Sequence, residues 1–592
     1  MALADYYNRV NLDLLQQIPP AAQIILEVGC GAGAMAEAYR RINPAVHYLG
    51  IELNPEAAQA ARGAGRLDRV ITGDAAAVEP VALGLPALAA GPGVDCLIFG
   101  DVLEHMVDPW SVLARLAGWV REGGLVLACI PNVQHYSVIV NLLRGRWSYH
   151  DEGLLDRTHL RFFTLEGIHE LFTRARLEVY DVQPRMWGDA NAERFRQIMT
   201  PVLGPLGIDP ARFAAQTQAV QYMVRAVRGP APGATATSCR RLLLWSLLGS
   251  VIGSEVRIQE PHRFLATMPG VRVVTGTGLQ FVDLGRTLPG EDRVFVEQRV
   301  VIPIGDHLQL QRVLLEQGYL IVAEFDDDPL HFSELVSSDF FALRSCHGVQ
   351  TTTEPLAQVL REYNPNVQVF PNQLAILPPP RDFFDSDVEV DTGRGVSVSP
   401  ATLFFGALNR EADWAPFLLA LNRVLAELKG LVRVLVVHDQ ALFQALETTD
   451  KAFEPLCSYD RYHSLLHMAD LAWLPLEPTR FNRHKSDLKF LECAGHGVAV
   501  LASPTVYSGV IRHGETGLIY GSQEGFRDQL VRLIVDTTFR RRLATSAYRE
   551  VAENRLLARH YRQREAWYRA MLGRLPELNR ELMERAPELK PR

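Results

Sequence analysis

The sequence predicts an α/β protein built from three consecutive doubly wound sheets. Three observations carry this prediction. Short apolar runs alternate with helical patterns from about residue 20 to residue 228, as strand–helix–strand units do. Small residues with two prolines and two glycines then fill 229–239, which reads as a linker. The alternation resumes at Arg241 and, after a polar, proline-rich crossing at Leu377–Ser399, begins a third time. At 592 residues the chain is too long for one hydrophobic core. The domains expected are 1–228, 240–385 and 386–575, then a tail at 576–592, with a charged helical stretch from Phe539 and fraying at Pro587–Arg592.

The first series offers strands at Ile24–Val28, Val46–Glu52, Arg69–Thr72, Val94–Gly100, Leu125–Ile130, Leu177–Val182 and Ala219–Arg228, read as one parallel sheet. Arg185–Thr217 interrupts it before the last strand and reads as a helical cap. The second offers Leu242–Leu247, Val271–Val274, Arg293–Glu297, Tyr319–Ala323 and Gly348–Thr351, ending near Val367. The third offers Thr402–Gly406, Val432–His438, Asp470–Leu474 and Val498–Ala502.

Composition narrows the function. A formal net charge of −8 argues against general nucleic-acid binding. Seven scattered cysteines form no CxxC pair and no zinc-like cluster, which fits a reducing cytoplasm and predicts no metal. The N-terminus has no signal-peptide pattern, and no apolar run is long enough to span a membrane. Leu242–Leu248 behind Arg240 and Arg241 reads as a buried strand, with peripheral docking at the inner membrane face as the alternative.

Ligands of such sheets sit beyond the carboxyl ends of the strands. Four successive strands of the first series deliver an acid to that edge: Glu27, Glu52, Asp74 and Asp101. Between the first two lies a glycine triplet, Gly29, Gly31 and Gly33, where the main chain can turn tightly and a ligand can come close. Each acid alone could be a solvated loop residue. Together they suit a ligand with a ribose diol and an amine.

The ordered segments EVGCGAG, GIELNPEA, TGDA, FGDVLEHMVDPW and GGLVLACIPNV resemble the motifs of class I S-adenosylmethionine-dependent methyltransferases. GLLDRTHLRFFT, at Gly153–Thr164, resembles a segment of the branch associated with polysaccharide assembly. The resemblance implies a Rossmann-like seven-stranded domain and S-adenosylmethionine as cofactor. It further implies Glu27, Gly29, Gly31 and Gly33 around the methionine and ribose, Glu52 with Leu53 at the ribose, Asp74 with Ala75 at adenine, and Asp101 beside the cofactor. Transfer to a hydroxyl benefits from a base. Of His105, His135, His150 and His159, the last is the preferred base, with Asp156 as its orienter and His105 as a further catalytic candidate. Each could instead serve a loop contact or a local charge network.

Three places in the later series could bind a ligand. Asp326, Asp327 and Asp328 could hold a metal, contact sugar hydroxyls, or form a solvated turn. Gly406 and Arg410 stand where a helix should follow a strand, a setting for a diphosphate or an ordinary turn. Lys485, Lys489 and Glu492 are expected on one helix face, as a diphosphate and ribose site or as a solvated charged face. HKSDLKFLECAGHGVAVLASP and YSGVIRHGETGLIY resemble the donor half of GT-B glycosyltransferases, especially the large retaining group, and PNQL at Pro371–Leu374 resembles their interdomain segment. This implies a GT-B pair of Rossmann-like domains, a nucleotide-sugar donor, Lys485 and Lys489 at its diphosphate and Glu492 at its ribose. His484 stands where the group carries the first of two glutamates, which leaves donor orientation open.

The expectation is a bifunctional cytoplasmic enzyme of surface-polysaccharide biosynthesis. It would methylate a sugar hydroxyl and extend a glycan or lipid-linked glycan acceptor. Two alternatives stand beside it: a catalytically silent glycan-binding C-terminal module, and methylation of a non-glycan substrate. The sequence sets no oligomeric state.

Overall fold

The computed structural model describes residues 8–85, 93–186, 188, 190–229, 241–249, 253–279, 287–299, 303–384 and 400–590. The expected linker at 229–239, beyond its first residue, and most of the crossing before Ser399 lie outside them. The chain divides into two compact units, Met1–Cys239 with Ala266–Gly270, and Arg240–Leu265 with Val271–Arg592. Among the described residues no helix is long and apolar enough to cross a membrane.

The first unit is a seven-stranded sheet of β1 (Ile24–Val28), β2 (His47–Glu52), β3 (Arg69–Thr72), β4 (Val94–Gly100), β5 (Val120–Pro131), β6 (Leu177–Met186) and β7 (Ala219–Arg228). Their order is β3-β2-β1-β4-β5-β7-β6. The order reverses direction between β1 and β4, so the carboxyl ends of these two strands flank the crevice where such sheets bind ligands. In-register pairing of Val28 with both Ile51 and Phe99 brings the ends of β2 and β4 level with that of β1. The near-continuous apolar run of β1 is buried, as a central strand covered on both faces requires. Leu26, Val28, Leu49, Leu97 and Phe99 form the core with Leu113, Leu116 and Phe172 of the flanking helices.

The sheet is not wholly parallel as expected. β7 runs antiparallel to both β5 and β6. The chain leaves β6 at the carboxyl edge, forms the helices Ala190–Leu203 and Pro210–Gln218, and re-enters from that same edge. An antiparallel return needs no crossover. Phe195, Leu203 and Phe213 of these helices pack with Tyr136, Ile139 and Val140, so the interruption does sit over the carboxyl edge.

The second unit holds two six-stranded sheets whose neighbours are all parallel. The first comprises β8 (Leu242–Leu248), β9 (Val271–Thr277), β10 (Asp292–Gln298), β11 (Leu320–Glu324), β12 (Gly348–Thr351) and β13 (Val367–Val369). Every residue of β8 is buried, so its apolar run is a core strand. The second comprises β14 (Ala401–Gly406), β15 (Val432–Val437), β16 (Lys451–Glu454), β17 (Leu471–Leu474), β18 (Ala499–Ala502) and β19 (Leu518–Ile519). Its order, β16-β15-β14-β17-β18-β19, is that of a Rossmann sheet with its switch point between β14 and β17. Periodicity did not reveal β16 and β19, which are short edge strands with little apolar pattern. The fold is therefore α/β, a Rossmann-like seven-stranded domain followed by a pair of Rossmann-like sheets.

The C-terminal helices tie this pair together. After Thr537–Asn554 the chain passes Leu374, which donates its N–H to the Arg555 carbonyl (3.0 Å) and accepts from Leu557 (2.8 Å). Arg562–Gly573 then lies against the first sheet, where the Tyr568 hydroxyl donates to Gln350 (2.7 Å). The fraying expected from Pro587 is corrected by packing as far as Leu589, which is buried with Leu582 and Ala586 against Phe341.

Beneath this return lies Arg257, fully enclosed. It donates to Glu324 (2.7 Å), to the carbonyls of Phe370 (2.6 Å) and Thr351 (3.1 Å), and to Asn372 (3.0 Å). Removing one member of such a pair strands the other charge in the interior, at a cost of about 3–5 kcal/mol. Arg257→Ala should lower the urea midpoint of the second unit accordingly, and adding Glu324→Leu should not recover it, because Glu324 also faces the buried Arg564 at 3.8 Å. An unchanged midpoint in Arg257→Ala would contradict this role.

Candidate active sites at two sheet edges

At the carboxyl edge of the first sheet, Gly29, Gly31 and Gly33 take φ of 74°, 53° and 84°, the left-handed region that favours glycine. Packing adds a second demand. A Cβ on Gly29 would stand 2.4 Å from Val102 Cγ2, and one on Gly33 2.5 Å from Leu67 Cδ1. Glu52, buried at the end of β2, fixes the loop. One carboxylate oxygen accepts the Gly31 N–H and the other the Asn54 N–H, both at 2.8 Å. Each oxygen keeps a second acceptor site. Beside it Leu53 is 70% exposed, a large apolar side chain left facing outward at the loop. Across the edge, Asp74 is exposed and accepts from Ala76 N–H (2.8 Å), while Ala75 is buried.

Two more acids close the crevice. Glu27 accepts the Tyr48 hydroxyl at 3.0 Å. Burial, reinforced by the nearby Glu52 charge, raises its carboxyl to about 7. Asp101, at φ 54°, accepts from Gln221 Nε2 (2.7 Å), and burial raises it above the ordinary carboxylate range. The structure thus gathers Glu27, Glu52 and Asp101 at the β1–β4 switch point.

Past Asp101 the chain forms a short turn at Leu103–His105. The Glu104 carbonyl accepts the N–H groups of Leu160 (2.8 Å) and Arg161 (2.9 Å), which draws the Asp156–Arg161 segment onto this edge. His159 and His105 therefore meet edge to face with ring centroids 4.8 Å apart. Each ring nitrogen Nδ1 lies against a carbonyl, Leu154 for His159 (3.2 Å) and Thr158 for His105 (3.1 Å). A carbonyl can only accept, so Nδ1 carries the proton in both and Nε2 keeps its lone pair. Burial, then the neighbouring His105, lowers the pKa of His159.

Asp156 is not the orienter of His159 that its spacing suggested. Its carboxylate accepts the N–H and hydroxyl of Thr158, both at 2.7 Å, and it reaches His159 only through its charge. The Leu154 carbonyl orients the ring instead. His135 caps the helix Tyr136–Leu143, and His150 lies exposed in a loop.

Glu104 joins the site without having been expected there. It is 1% exposed, and among the described residues neither carboxylate oxygen has a hydrogen-bond partner. Burial and the Asp101 charge push its carboxyl well up. Its signal in the sequence is the acid–histidine pair directly after a strand-end aspartate.

In the second unit Lys485 does not share a helix face with Lys489 and Glu492. The helix begins at Leu488, because 484–487 is committed elsewhere. His484 Nδ1 pairs with Asp328 (2.9 Å), Lys485 with Asp327, Ser486 accepts from Asn372 (2.9 Å), and Asp487 takes Arg555 (2.7 Å). Arg299 also pairs with Asp326 and with Asp327 (3.0 Å), and Arg480 with Asp328 (3.1 Å). The three aspartates form an ion-paired joint; they are neither a solvated turn nor free to ligate a metal. Arg410 is likewise held by Asp413 and Asn482, both at 3.0 Å.

What remains converges on Tyr462. A Cβ on Gly406 would lie 2.7 Å from its ring, and Lys489 Nζ stands 4.1 Å above the ring centre and 3.0 Å from the hydroxyl. Lys489 also pairs with Glu492 (3.2 Å), which is 1% exposed and accepts from the Tyr459 hydroxyl (3.2 Å). Burial, with Glu255 and Glu492 adding repulsion and Arg263 opposing, raises Glu260 nearby to about 7.

A family model described as a methyltransferase domain matches residues 3–182. A ubiquinone biosynthesis O-methyltransferase of Thiobacillus denitrificans is 38% identical over 109 residues, 18% of this chain and 44% of that protein. An uncharacterized methyltransferase of Mycobacterium leprae is 31% identical over 109 residues, 18% of this chain and 37% of its own. The chain thus spans less than half the length of these curated relatives. Among solved structures, Anabaena HepE in complex with UDP and glucose covers 55% of this chain and 98% of its own at 16% identity, with a TM-score of 0.39.

Glu27 gives the first edge a pH signature. The folded chain keeps a proton on this carboxyl that the unfolded chain releases near its ordinary value of 4.5. That contribution to stability is whole below pH 4.5 and is lost as pH rises through about 7. Its size is about 3 kcal/mol. Glu27→Gln, which retains an acceptor for Tyr48, should remove that part of the fall in stability between pH 4.5 and 7, read by urea denaturation at stepped pH. Identical slopes in the two proteins would contradict the burial cost.

Proposed function

We propose that this chain, whose residues 3–182 form a methyltransferase domain, transfers the methyl group of S-adenosylmethionine to a sugar hydroxyl. We further propose that its second unit transfers a glycosyl group from a nucleotide sugar to the same class of glycan, in the assembly of a surface polysaccharide. The observation that carries the first half is the acidic switch point. Glu27, Glu52 and Asp101 meet where β1 and β4 part, beside a glycine loop whose Gly31 N–H Glu52 already holds.

These residues fit the proposed cofactor. The unused acceptor sites of Glu52 suit a ribose diol, and Asp74 suits an adenine amine over which Leu53 can close. A cationic methionine end would draw Glu27 and Asp101, which burial holds toward the neutral form, into their charged forms. The bound group would supply a methyl on a positively charged sulfur, a ready leaving group. The protein's part is alignment of the acceptor oxygen and removal of its proton. That second task falls to Glu104, His105 and His159, since both rings keep Nε2 lone pairs.

The glycosyl reading rests on the β14–β17 switch point and on Lys489 and Glu492 beside Tyr462. Lys489 would meet the donor diphosphate and Glu492 its ribose, with Gly406 allowing close approach and Arg410 steadying the following loop. A specific observation favours a second reading, a glycan-binding module without turnover: all three expected cations are already ion-paired, Lys485 and Arg410 with aspartates and Lys489 with Glu492.

One assay on the full chain separates these. Glycan fractions incubated with labelled S-adenosylmethionine and a panel of nucleotide sugars should gain label, and nucleotide should be released at a rate that falls at least about tenfold in Glu492→Ala. Label in glycan with no nucleotide release would establish the binding module. Label in no carbohydrate fraction would overturn methylation of a sugar.

A further inference from the structure

We infer that Glu104, His105 and His159 form a binding site for a first-row divalent cation at the carboxyl edge of β4. The three side chains each present a ligand-type atom, and these atoms lie within 4.8 Å of one another. Two donors about 2.1 Å from one ion stand at most about 4.2 Å apart. Three donors on one ion stand about 3.4 Å apart at tetrahedral angles, so side-chain movements of up to about 1.4 Å would close the shell.

Two independent features, the unpartnered Glu104 and the orientation of both imidazoles, point to an ion rather than to a chance cluster. Glu104 is 1% exposed, and among the described residues both its oxygens lack a hydrogen-bond partner. A buried carboxylate is costly unless it is paired or coordinates a metal. Both imidazoles are then oriented as ligands are. Each commits Nδ1–H to a main-chain carbonyl, Leu154 or Thr158, which fixes the tautomer and leaves Nε2 as the donor. No cationic side chain is paired with Glu104 among the described residues, although Asp101 lies three positions before it and adds a second negative charge. One cation would answer both acids.

The donor set names the class of ion. Two imidazoles with one carboxylate suit manganese, iron(II) or zinc better than calcium or magnesium, which take mostly oxygen. Three protein ligands leave coordination positions for substrate. The role of the ion rests on the methyltransferase reading above. With both Nε2 lone pairs on the ion, His105 and His159 act as ligands in place of a direct base role: a hydroxyl oxygen bound there becomes more acidic, and its proton leaves to solvent. That oxygen then forms the new bond to the methyl carbon as the sulfur–methyl bond breaks, and the sulfur leaves as a neutral thioether. An acceptor with two adjacent hydroxyls could hold the ion through both, so a sugar vicinal diol is the favoured substrate class.

The test uses the full chain freed of metal with a chelator, with manganese(II) alone as the probe and no methyl donor or acceptor present. Electron paramagnetic resonance of free manganese should show about one ion bound per chain. Glu104→Gln, His105→Ala and His159→Ala should each weaken binding at least about tenfold, as loss of a ligand requires, and excess zinc should displace the manganese. Far-UV circular dichroism and binding of S-adenosylhomocysteine report whether each variant is folded. His105, half exposed, serves if the buried Glu104 variant does not fold. No binding by wild type, or equal binding by folded His105→Ala and His159→Ala, would overturn the site. Because the readout needs no turnover, its failure leaves methyl transfer standing. Intact manganese binding with no methylated product would sink the methyltransferase role alone.

Discussion

A single carboxylate sets the geometry of the first unit's functional edge. Glu52 joins two segments that the sheet alone would leave independent. One oxygen holds Gly31 in the turn after β1, and the other holds Asn54 at the start of the helix after β2. Asn54 in turn caps that helix by accepting from Glu56 and Ala57. The glycine loop, the second strand end and the following helix are thus placed by a chain of charge-assisted bonds. Glycines at positive φ allow the turn; Glu52 selects its shape. Remaining lone pairs then face a crevice whose other wall carries Glu27 and Asp101.

The same edge concentrates carboxyls whose charged form the fold disfavours. Glu27, Asp101 and Glu104 all have carboxyls raised by burial. Interiors rarely retain such groups without compensation. Glu27 has a tyrosine hydroxyl and Asp101 a glutamine amide, but Glu104 has neither. Clustering unpaired acids at one sheet edge is understandable if positively charged ligands arrive there, a sulfonium or ammonium at one end and a metal cation at the other.

The second unit resolves its charges differently, and this is where reading residues in sequence failed. Periodicity put β8, β12 and β14 within a residue or so of their positions, because buried parallel strands are continuous apolar runs. Spacing likewise found the acids at the ends of β1, β2 and β4, since strand ends fall where apolar runs stop. Spacing could not foresee that His484, Lys485, Ser486 and Asp487 each bond a residue more than 60 positions away. Those long-range pairs end the helical phase before Leu488 and turn an expected diphosphate ligand into part of a joint. The antiparallel β7 escaped for a related reason: apolar runs do not record direction. Glu104 escaped because an acid beside a histidine is ordinary until the fold delivers His159 to it.

The cofactor reading of the first edge depends on Glu52 facing a nucleoside. The most direct measurement is calorimetric binding of S-adenosylhomocysteine to the full chain and to Glu52→Ala. One molecule should bind per chain, with affinity at least about tenfold weaker in the variant, since two ribose hydrogen bonds to a charged group are lost. Absence of binding by the wild-type chain, or equal affinity in Glu52→Ala, would contradict the reading of this edge as a cofactor site.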